Sequence, residues 1–417
     1  MPVRPLIGLF ALLAVGLVAC GAEPEPPPGR GIVLALAQFV TEGGRPKPGP
    51  ARLEFLLPRG DRWEVTALED PDGVVFHKAM VYEGADGPRL LTLAGTARES
   101  GEPAPVKAWR KGPSGLEAEL LWERAFGGVT NRMRDAEVGD LFGDGGASIA
   151  VATHDQGVVA VLRPQAGGGF EVRELDAQPD TFVHEIELGD LDGDGVLEVY
   201  ATPSAPNRLD GTPQPGVVVR YVPARDEGRT VVAELGDRHA KEILVDDVDG
   251  DGRDELYVAV EGVTGGEGAG QRLVEPVEIR RYDADTPADG GAVIGTIQDS
   301  LCRFLTAGDV DGDGRKELVA AAFSSGIWLF RPGEDPRGAW SRTLVDAESA
   351  GFEHAALFAD LDGDGRDELY VASDRHKQVR RYVWNGHSFD RETIYTRPDD
   401  RPVFTWNLMP VPAELSP

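Results

Sequence analysis

From Ile32 onward, short apolar runs alternate with Gly, Pro and Asp turns, and no stretch sustains a helical period. The pattern predicts strands throughout, and hence an all-β fold. One kind of strand provides a count. "RLEFLLPRG", "VKAWRKG", "VVAVLRP", "VVVRYVP", "VEIRRYD", "IWLFRPG" and "QVRRYVWNG" align on Leu56, Trp109, Leu162, Tyr221, Tyr282, Phe330 and Tyr382, at intervals of 48 to 61 residues. Each is followed by an alternating strand, such as "FEVREL" or "WSRTLVD". The last six are preceded by a strand, an acidic loop or its remnant, and a further strand, as in "HEIELGD" and "LEVYAT" around Asp190.

The repeating unit is therefore four strands, A to D, with the acidic loop joining A to B. Seven such units arranged radially predict a seven-bladed β-propeller, a shape that leaves only short, protected edges. The chain starts with strands that read as B, C and D and ends with "RPVFTWNLMPV", a lone A. The C-terminal strand is thus expected to join the N-terminal blade and close the ring.

A chain of 417 residues would ordinarily divide into two or three domains, but repetition merges residues 31–417 into one body. Ahead of it, "MPVRPLIGLFALLAVGLVAC" carries an apolar run from Leu6 to Val18, too short to span a bilayer comfortably but suited to an export signal. "LVAC" resembles the bacterial lipoprotein signal, which implies a signal peptide over 1–20, lipidation of Cys20 and a place on the cell envelope. The alternative is ordinary cleavage nearby, for example after Ala22, leaving a free protein. Residues 21–30, "GAEPEPPPGR", read as a Pro-rich tether. Cys302 is the only other cysteine, so a mature intrachain disulfide is excluded, and its apolar flanks suggest an inert buried thiol.

Formal charge is −29, from 42 basic against 71 acidic residues, which argues against a nucleic-acid partner. Sixteen of those acids lie in four copies of one loop: Asp190, Asp192, Asp194 and Glu198; Asp247, Asp249, Asp251 and Glu255; Asp309, Asp311, Asp313 and Glu317; Asp360, Asp362, Asp364 and Glu368. Two carboxylates about 5 Å apart repel by roughly 3 kcal/mol at an effective dielectric near 20. Oxygens at positions 1, 3, 5 and 9, plus a carbonyl near 7, suit Ca2+, and glycines at 4 and 6 permit the tight wrap. About four structural calcium sites are expected. An EF-hand also begins D-x-D-x-D-G, but its last acid falls at position 12 between helices, so it does not fit. The bland reading is that Asp and Gly simply make good turns. It fits best at Asp140, where Phe142 and Ser148 replace two carboxylates, and at the shortened loop near Glu83.

D-x-D-x-D-G-x-x-[DE] followed by an apolar strand resembles the FG-GAP or VCBS repeat of integrin-α-like propellers, and the likeness covers nearly all of 31–417. It implies a calcium-stabilised, non-catalytic binding or adhesion propeller, monomeric and held at a membrane by its lipid.

Six residues before the first acid of each loop stand His77, Arg134, His184, Lys241, Arg303 and His354, with Arg401 in the corresponding place before Asn407. All seven are basic. In a propeller they should ring the mouth of the central channel, opposite the calcium loops, beside the long B–C insertions 202–216 and 261–276. Such a ring would attract an anion, for example an acidic glycan or an acidic protein loop. The plain alternative is that duplication repeats these side chains and that they bond carbonyls between blades. A second functional reading is a lyase acting on acidic polysaccharide, since some propellers of similar appearance use His, Arg and Tyr in this way. No serine elbow, zinc motif or nucleotide loop is present. His154, His239, His376 and His387 read as surface or turn residues.

Cys20→Ser should release the protein from membranes, because stable attachment takes two or more acyl chains. Incorporation of labelled fatty acid into the wild type checks this directly, and its absence would count against the anchor.

Overall fold

A computed structural model describes residues 30–417 except 85, 99, 155, 206–213, 267–269 and 399–400. The expected signal sequence, Cys20, most of the tether and the centres of both long insertions lie outside the described residues. Among the described residues, no helix is long and apolar enough to cross a membrane.

The fold is all-β. Five antiparallel sheets each take four strands in chain order. Sheet 3 comprises Met133–Gly139, Ser148–Thr153, Val159–Pro164 and Phe170–Asp176. Sheet 4 comprises Phe182–Gly189, Glu198–Ser204, Val217–Val222 and Glu227–Glu234, and sheet 5 comprises Ala240–Asp246, Glu255–Val260, Val277–Tyr282 and Ala292–Ile297. Sheet 6 comprises Cys302–Gly308, Glu317–Ala322, Ile327–Arg331 and Ser341–Asp346, and sheet 7 comprises Ala356–Ala359, Glu368–Ser373, Gln378–Trp384 and Phe389–Thr396. Sheet 2 (Val75–Gly84, Gly87–Gly95, Ala104–Gly112, Gly115–Arg124) packs on sheet 1 (Arg30–Glu42, Ala51–Arg59, Arg62–Asp70), and their backbones pair at Ala37–Val75. The final strand, Val403–Pro412, lies antiparallel to Arg30–Glu42, from Arg30 opposite Pro412 to Gln38 opposite Val403.

The repeat register survives in the pairing. Leu56, Trp109, Leu162, Tyr221, Tyr282, Phe330 and Tyr382 stand opposite Ile32, Leu90, Ile149, Val199, Leu256, Leu318 and Leu369, near the start of each B strand. All seven are buried.

B strands read as unbroken apolar runs because both of their faces are covered. Val199 and Ala201 pack with sheet 3, whereas Tyr200 between them packs with sheet 5. D strands alternate instead, with polar positions turned to solvent, as in Phe170–Asp176. Each hydrophobic cluster joins two consecutive sheets. One joins sheet 7 to sheet 1, through Tyr370, Ala372 and Val379 against Ile32, Leu34 and Leu408. The first strands of neighbouring sheets touch in sequence, and Val403–Pro412 touches both Ala356–Ala359 and Val75–Gly84.

Two features go beyond the four-strand unit. Arg30–Glu42 runs on into a hairpin with Arg45–Pro48, and the 261–276 insertion carries the small pair Val263–Gly265 and Arg272–Glu275. Cys302 is buried, and burial pushes its thiol well above the usual range, so it is inert as expected.

Deleting residues 403–417 should leave Arg30–Glu42 as an apolar sheet edge and uncover Ile32, Leu34 and Leu36, whose burial is worth about 1.5–3 kcal/mol each. Loss of soluble monomer on a sizing column, with a lowered urea midpoint for any that remains, is the expected outcome.

Candidate metal loops and the opposite face

The four acidic loops share one construction. The first Asp accepts hydrogen bonds from backbone N–H groups three to five residues on: Asp309 accepts from Gly312, Asp313 and Gly314 at 2.7, 3.2 and 2.8 Å. The fifth-position Asp accepts from the residue two further on, as Asp251 does from Arg253 at 3.0 Å. Both glycines have positive φ, 74° and 88° at Gly250 and Gly252, which explains why glycine is required there.

The carboxylates that converge are Asp190, Asp192 and Asp194; Asp309, Asp311 and Asp313; Asp360, Asp362 and Asp364; and Asp247, Asp249 and Asp251 together with Glu255. Within each group, ligand oxygens lie within 4.8 Å of one another. Among the ninth-position glutamates only Glu255 joins its group; Glu198, Glu317 and Glu368 stand outside theirs.

All four glutamates are buried and engaged in a clamp. Glu255 accepts from Tyr257 Oη at 2.9 Å and pairs with Arg281 at 3.0 Å; Glu317 accepts from Val310 N at 3.2 Å and from Arg331 at 2.9 Å. Glu198 pairs with Arg220 at 2.7 Å, and Glu368 with Arg381. The same arginines reach back to the third-position Asp: Arg281 to Asp249 at 2.5 Å and Arg381 to Asp362 at 2.8 Å. Burial pushes Glu255 up to about 8 and lifts Glu198, Glu317 and Glu368 in the same direction. Consecutive loops are also latched, since Asp254 accepts from Asp190 N at 2.8 Å and Asp367 from Asp309 N at 2.9 Å.

Oxygen-only donors converging on one point fit a hard cation such as Ca2+ rather than a thiophilic or imidazole-loving metal. The loop at Asp140 keeps the backbone caps, with Asp144 N and Gly145 N donating to Asp140 at 3.0 and 2.8 Å, but it is not among the converging groups. There Phe142 lies under Arg163, 4.3 Å from the guanidinium carbon, and the hydroxyl of Ser148 is buried without a protein partner. The turn is kept there without the converging carboxylates.

At the opposite end, the basic series has a cause that sequence spacing does not reveal. His77, Arg134, Lys241 and Arg303 are each the extra residue of a β-bulge in strand A, skipped between the pairs on either side, and His184 shares a wider bulge with Glu185. A bulge re-aims its side chain out of the ladder. In the last strand the skipped residue is Trp406, not Arg401. The lone A strand has no acid to count back from; Pro412, opposite Arg30, is the matching anchor. Arg401 instead is exposed and donates to Gln38 at 3.2 Å.

The bulge residues do converge. His77 and Trp406 rings are 4.5 Å apart, Arg134 lies 5.1 Å over Trp406, and His184 is 5.4 and 6.5 Å from the rings of His154 and His239. His154 and His239 therefore belong to this cluster; His154 does stand in a bend, as expected, whereas His239 is buried, contrary to the surface or turn position expected of it, and His376 and His387 are exposed. The cluster is neither open nor purely cationic. His77, Arg134, His184 and Arg303 are at least nine-tenths buried. Arg303 is paired with Glu353, and Lys241 sits in the fields of Glu261 and Glu353. Behind them, Lys78 holds Asp135 at 2.9 Å and Glu137. His354 does not face the cluster; its ring bonds the Ala322 carbonyl and Ser349 Oγ, both at 2.7 Å.

Burial, helped by Arg134, holds the His77 imidazole well below its ordinary value, and burial does the same to His184. Hence the histidines add no charge near neutral pH.

One accessible feature on this face is a cavity of about 520 Å3 between sheets 6, 7 and 1, lined by Phe323, Phe352, Phe404, Arg375 and Arg401 among others. Neither Phe352 nor Arg375 was anticipated. "SAGFEH" offered only an exposed phenylalanine in a turn as a signal.

Comparison with known proteins supports this architecture. Solved structures that align over most of the chain include a candidate 6-phosphogluconolactonase from Bacteroides fragilis NCTC 9343 (14% identity, 93% of this chain and 100% of the other, TM-score 0.54). They also include one from Bacteroides uniformis ATCC 8492 (12%, 92% and 100%, 0.51) and the Dos1 propeller (10%, 88% and 86%, 0.51). At such identities the likeness is one of fold, and the fold is propeller-like. Residues 309–371 match the FG-GAP-like repeat family. No curated protein matches the chain in sequence.

His239 and His354 are held down to about 4, chiefly by burial. An imidazole neutral when folded and protonated when unfolded stabilises the fold above about pH 6.5, and that contribution is lost as pH falls toward 4. Each should contribute about 3 kcal/mol. Their C2–H proton shifts should stay flat from about pH 8 to 5.5; an ordinary midpoint near 6.5 would contradict the burial described.

Proposed function

We propose that this protein is a calcium-stabilised, seven-bladed FG-GAP-type propeller, its ring closed by Val403–Pro412, that binds a ligand on the face opposite its acidic loops without transforming it. Lipidated Cys20 would tether it, as a monomer, to the bacterial envelope. The observation that carries this reading is the fourfold convergence of carboxylates at the A–B turns, on the far side of the body from the 520 Å3 cavity.

Calcium would be held by the three Asp of each loop, joined at one loop by Glu255. Its charge would relieve the repulsion among them and lock the A–B hairpin, as the Arg clamp already does from the strand C side. Extracytoplasmic calcium is abundant enough to fill even weak sites.

A lyase reading needs a tyrosine to converge with a base. Tyr200, Tyr221, Tyr257, Tyr282, Tyr370 and Tyr382 are instead buried between sheets, and no tyrosine lines the cavity. Binding is therefore the better supported activity.

Calcium at one hundred times Kd adds about 2.7 kcal/mol per site. Chelation should lower the melting temperature markedly, and Asp309→Ala should reduce the calorimetric stoichiometry by one site while leaving the rest. A melt indifferent to chelator, with no calcium in carefully prepared protein, would remove the calcium from this reading.

A further inference from the structure

Phe352 is 49% exposed, an unusual position for a phenylalanine that is held so firmly. Arg303 donates to its carbonyl at 2.6 Å and lies 5.1 Å over its ring, and Arg303 is itself anchored by buried Glu353. At the end of the same loop, His354 adopts φ +44°, a left-handed conformation uncommon for a residue with a side chain. Hydrogen bonds from both sides of its ring fix it there. Gly351 packs so closely that a Cβ would come within 3.2 Å of His354 N. Strain of this kind persists only where the surroundings over-determine it, and here it keeps Phe352 turned outward.

The ring it presents is one wall of the cavity. The rings of Phe404 and Phe323 stand 5.6 and 6.5 Å from that of Phe352. At about 520 Å3 the space is in the range of small-ligand pockets. Asp374, the carboxylate among its lining residues, is already satisfied by Arg397 at 3.0 Å and by the backbone and hydroxyl of Thr405 at 2.6 and 2.7 Å. Arg375 beside it is exposed and has no side-chain partner among the described residues. Aromatic faces accept the flat C–H or π face of a ring, while a guanidinium pairs with a carboxylate through two parallel hydrogen bonds.

We propose that this cavity binds a ring-shaped ligand bearing a carboxylate, with Phe352 and Phe404 covering the face of the ring and Arg375 pairing with the charge. The inference rests on the binding reading above and supplies its ligand class. A hexuronic acid within a glycan and an aromatic acid share that chemistry.

Calorimetric titration of the calcium-loaded protein with trigalacturonate, with neutral galactotriose and with benzoate tests the proposal and separates its sources. At least one carboxylate should bind, and galactotriose at least tenfold more weakly than trigalacturonate if the glycan is the source. Phe352→Ala should weaken binding tenfold or more. It should not alter the melting temperature, since its ring is half in solvent. Arg375→Gln should weaken binding and flatten its salt dependence. Preference for benzoate assigns the aromatic acid. Equal binding of galactotriose and trigalacturonate, or indifference to Phe352→Ala, overturns the proposal but leaves binding on this face standing. No binding of either carboxylate overturns it too. A ligand displaced by substitutions in the acidic loops and by none on this face would defeat the binding reading itself.

Discussion

No sheet in this protein can keep both faces dry by itself, and that constraint organises the rest. The B strands sit in the middle of their sheets with side chains delivered alternately to the neighbour on either side, as Val199, Tyr200 and Ala201 are. Every hydrophobic cluster is consequently shared, including the one in which Ile32 and Leu34 meet Tyr370 and Val379. A sheet without two neighbours would expose an apolar face, and the pairing of Val403–Pro412 with Arg30–Glu42 covers one such edge.

Once the sheets are fixed face to face, the charged groups separate by end. At the A–B turns, the buried ninth-position glutamates would be unfavourable if left alone. Arginines from strand C answer them and reach the third-position aspartates as well. The loops are thus shaped before any cation is considered, and a cation would complete an arrangement that the protein has already drawn together. At the other end, Arg303 and Lys241 also have carboxylates close by, so a face that seems uniformly basic when residues are counted is partly balanced in space. Its accessible chemistry is aromatic with a basic edge.

Much of this was legible in the chain. Period, strand type and acidic spacing follow directly from covalent repetition, because an inserted aromatic or a glycine forced to positive φ leaves a mark at a fixed offset. What could not be read depends on pairing across sheets. Trp406 was missed because equivalence in an unlooped strand is defined by its hydrogen-bonding partner, Arg30 opposite Pro412, and not by distance from an acid. Glu198, Glu317 and Glu368 carry the spacing of ligands and are engaged by Tyr200, Arg331 and Arg381, as Glu255 is by Tyr257 and Arg281, and those partners come from neighbouring positions on the sheet. His354 has the right offset but the wrong backbone angle, and so turns into the seam between sheets 6 and 7. Neutrality of His77, His184, His239 and His354 follows from their burial, which no spacing encodes.

The bulges at His77, Arg134, Lys241, Arg303 and Trp406 have a wider consequence. A residue that the ladder skips contributes no cross-strand partner, so exchanging it disturbs no register and moves no neighbouring strand. Within a repeat locked on both sides by packing, these are the inner positions whose character changes from imidazole to guanidinium to indole while the strand pairing keeps the same form.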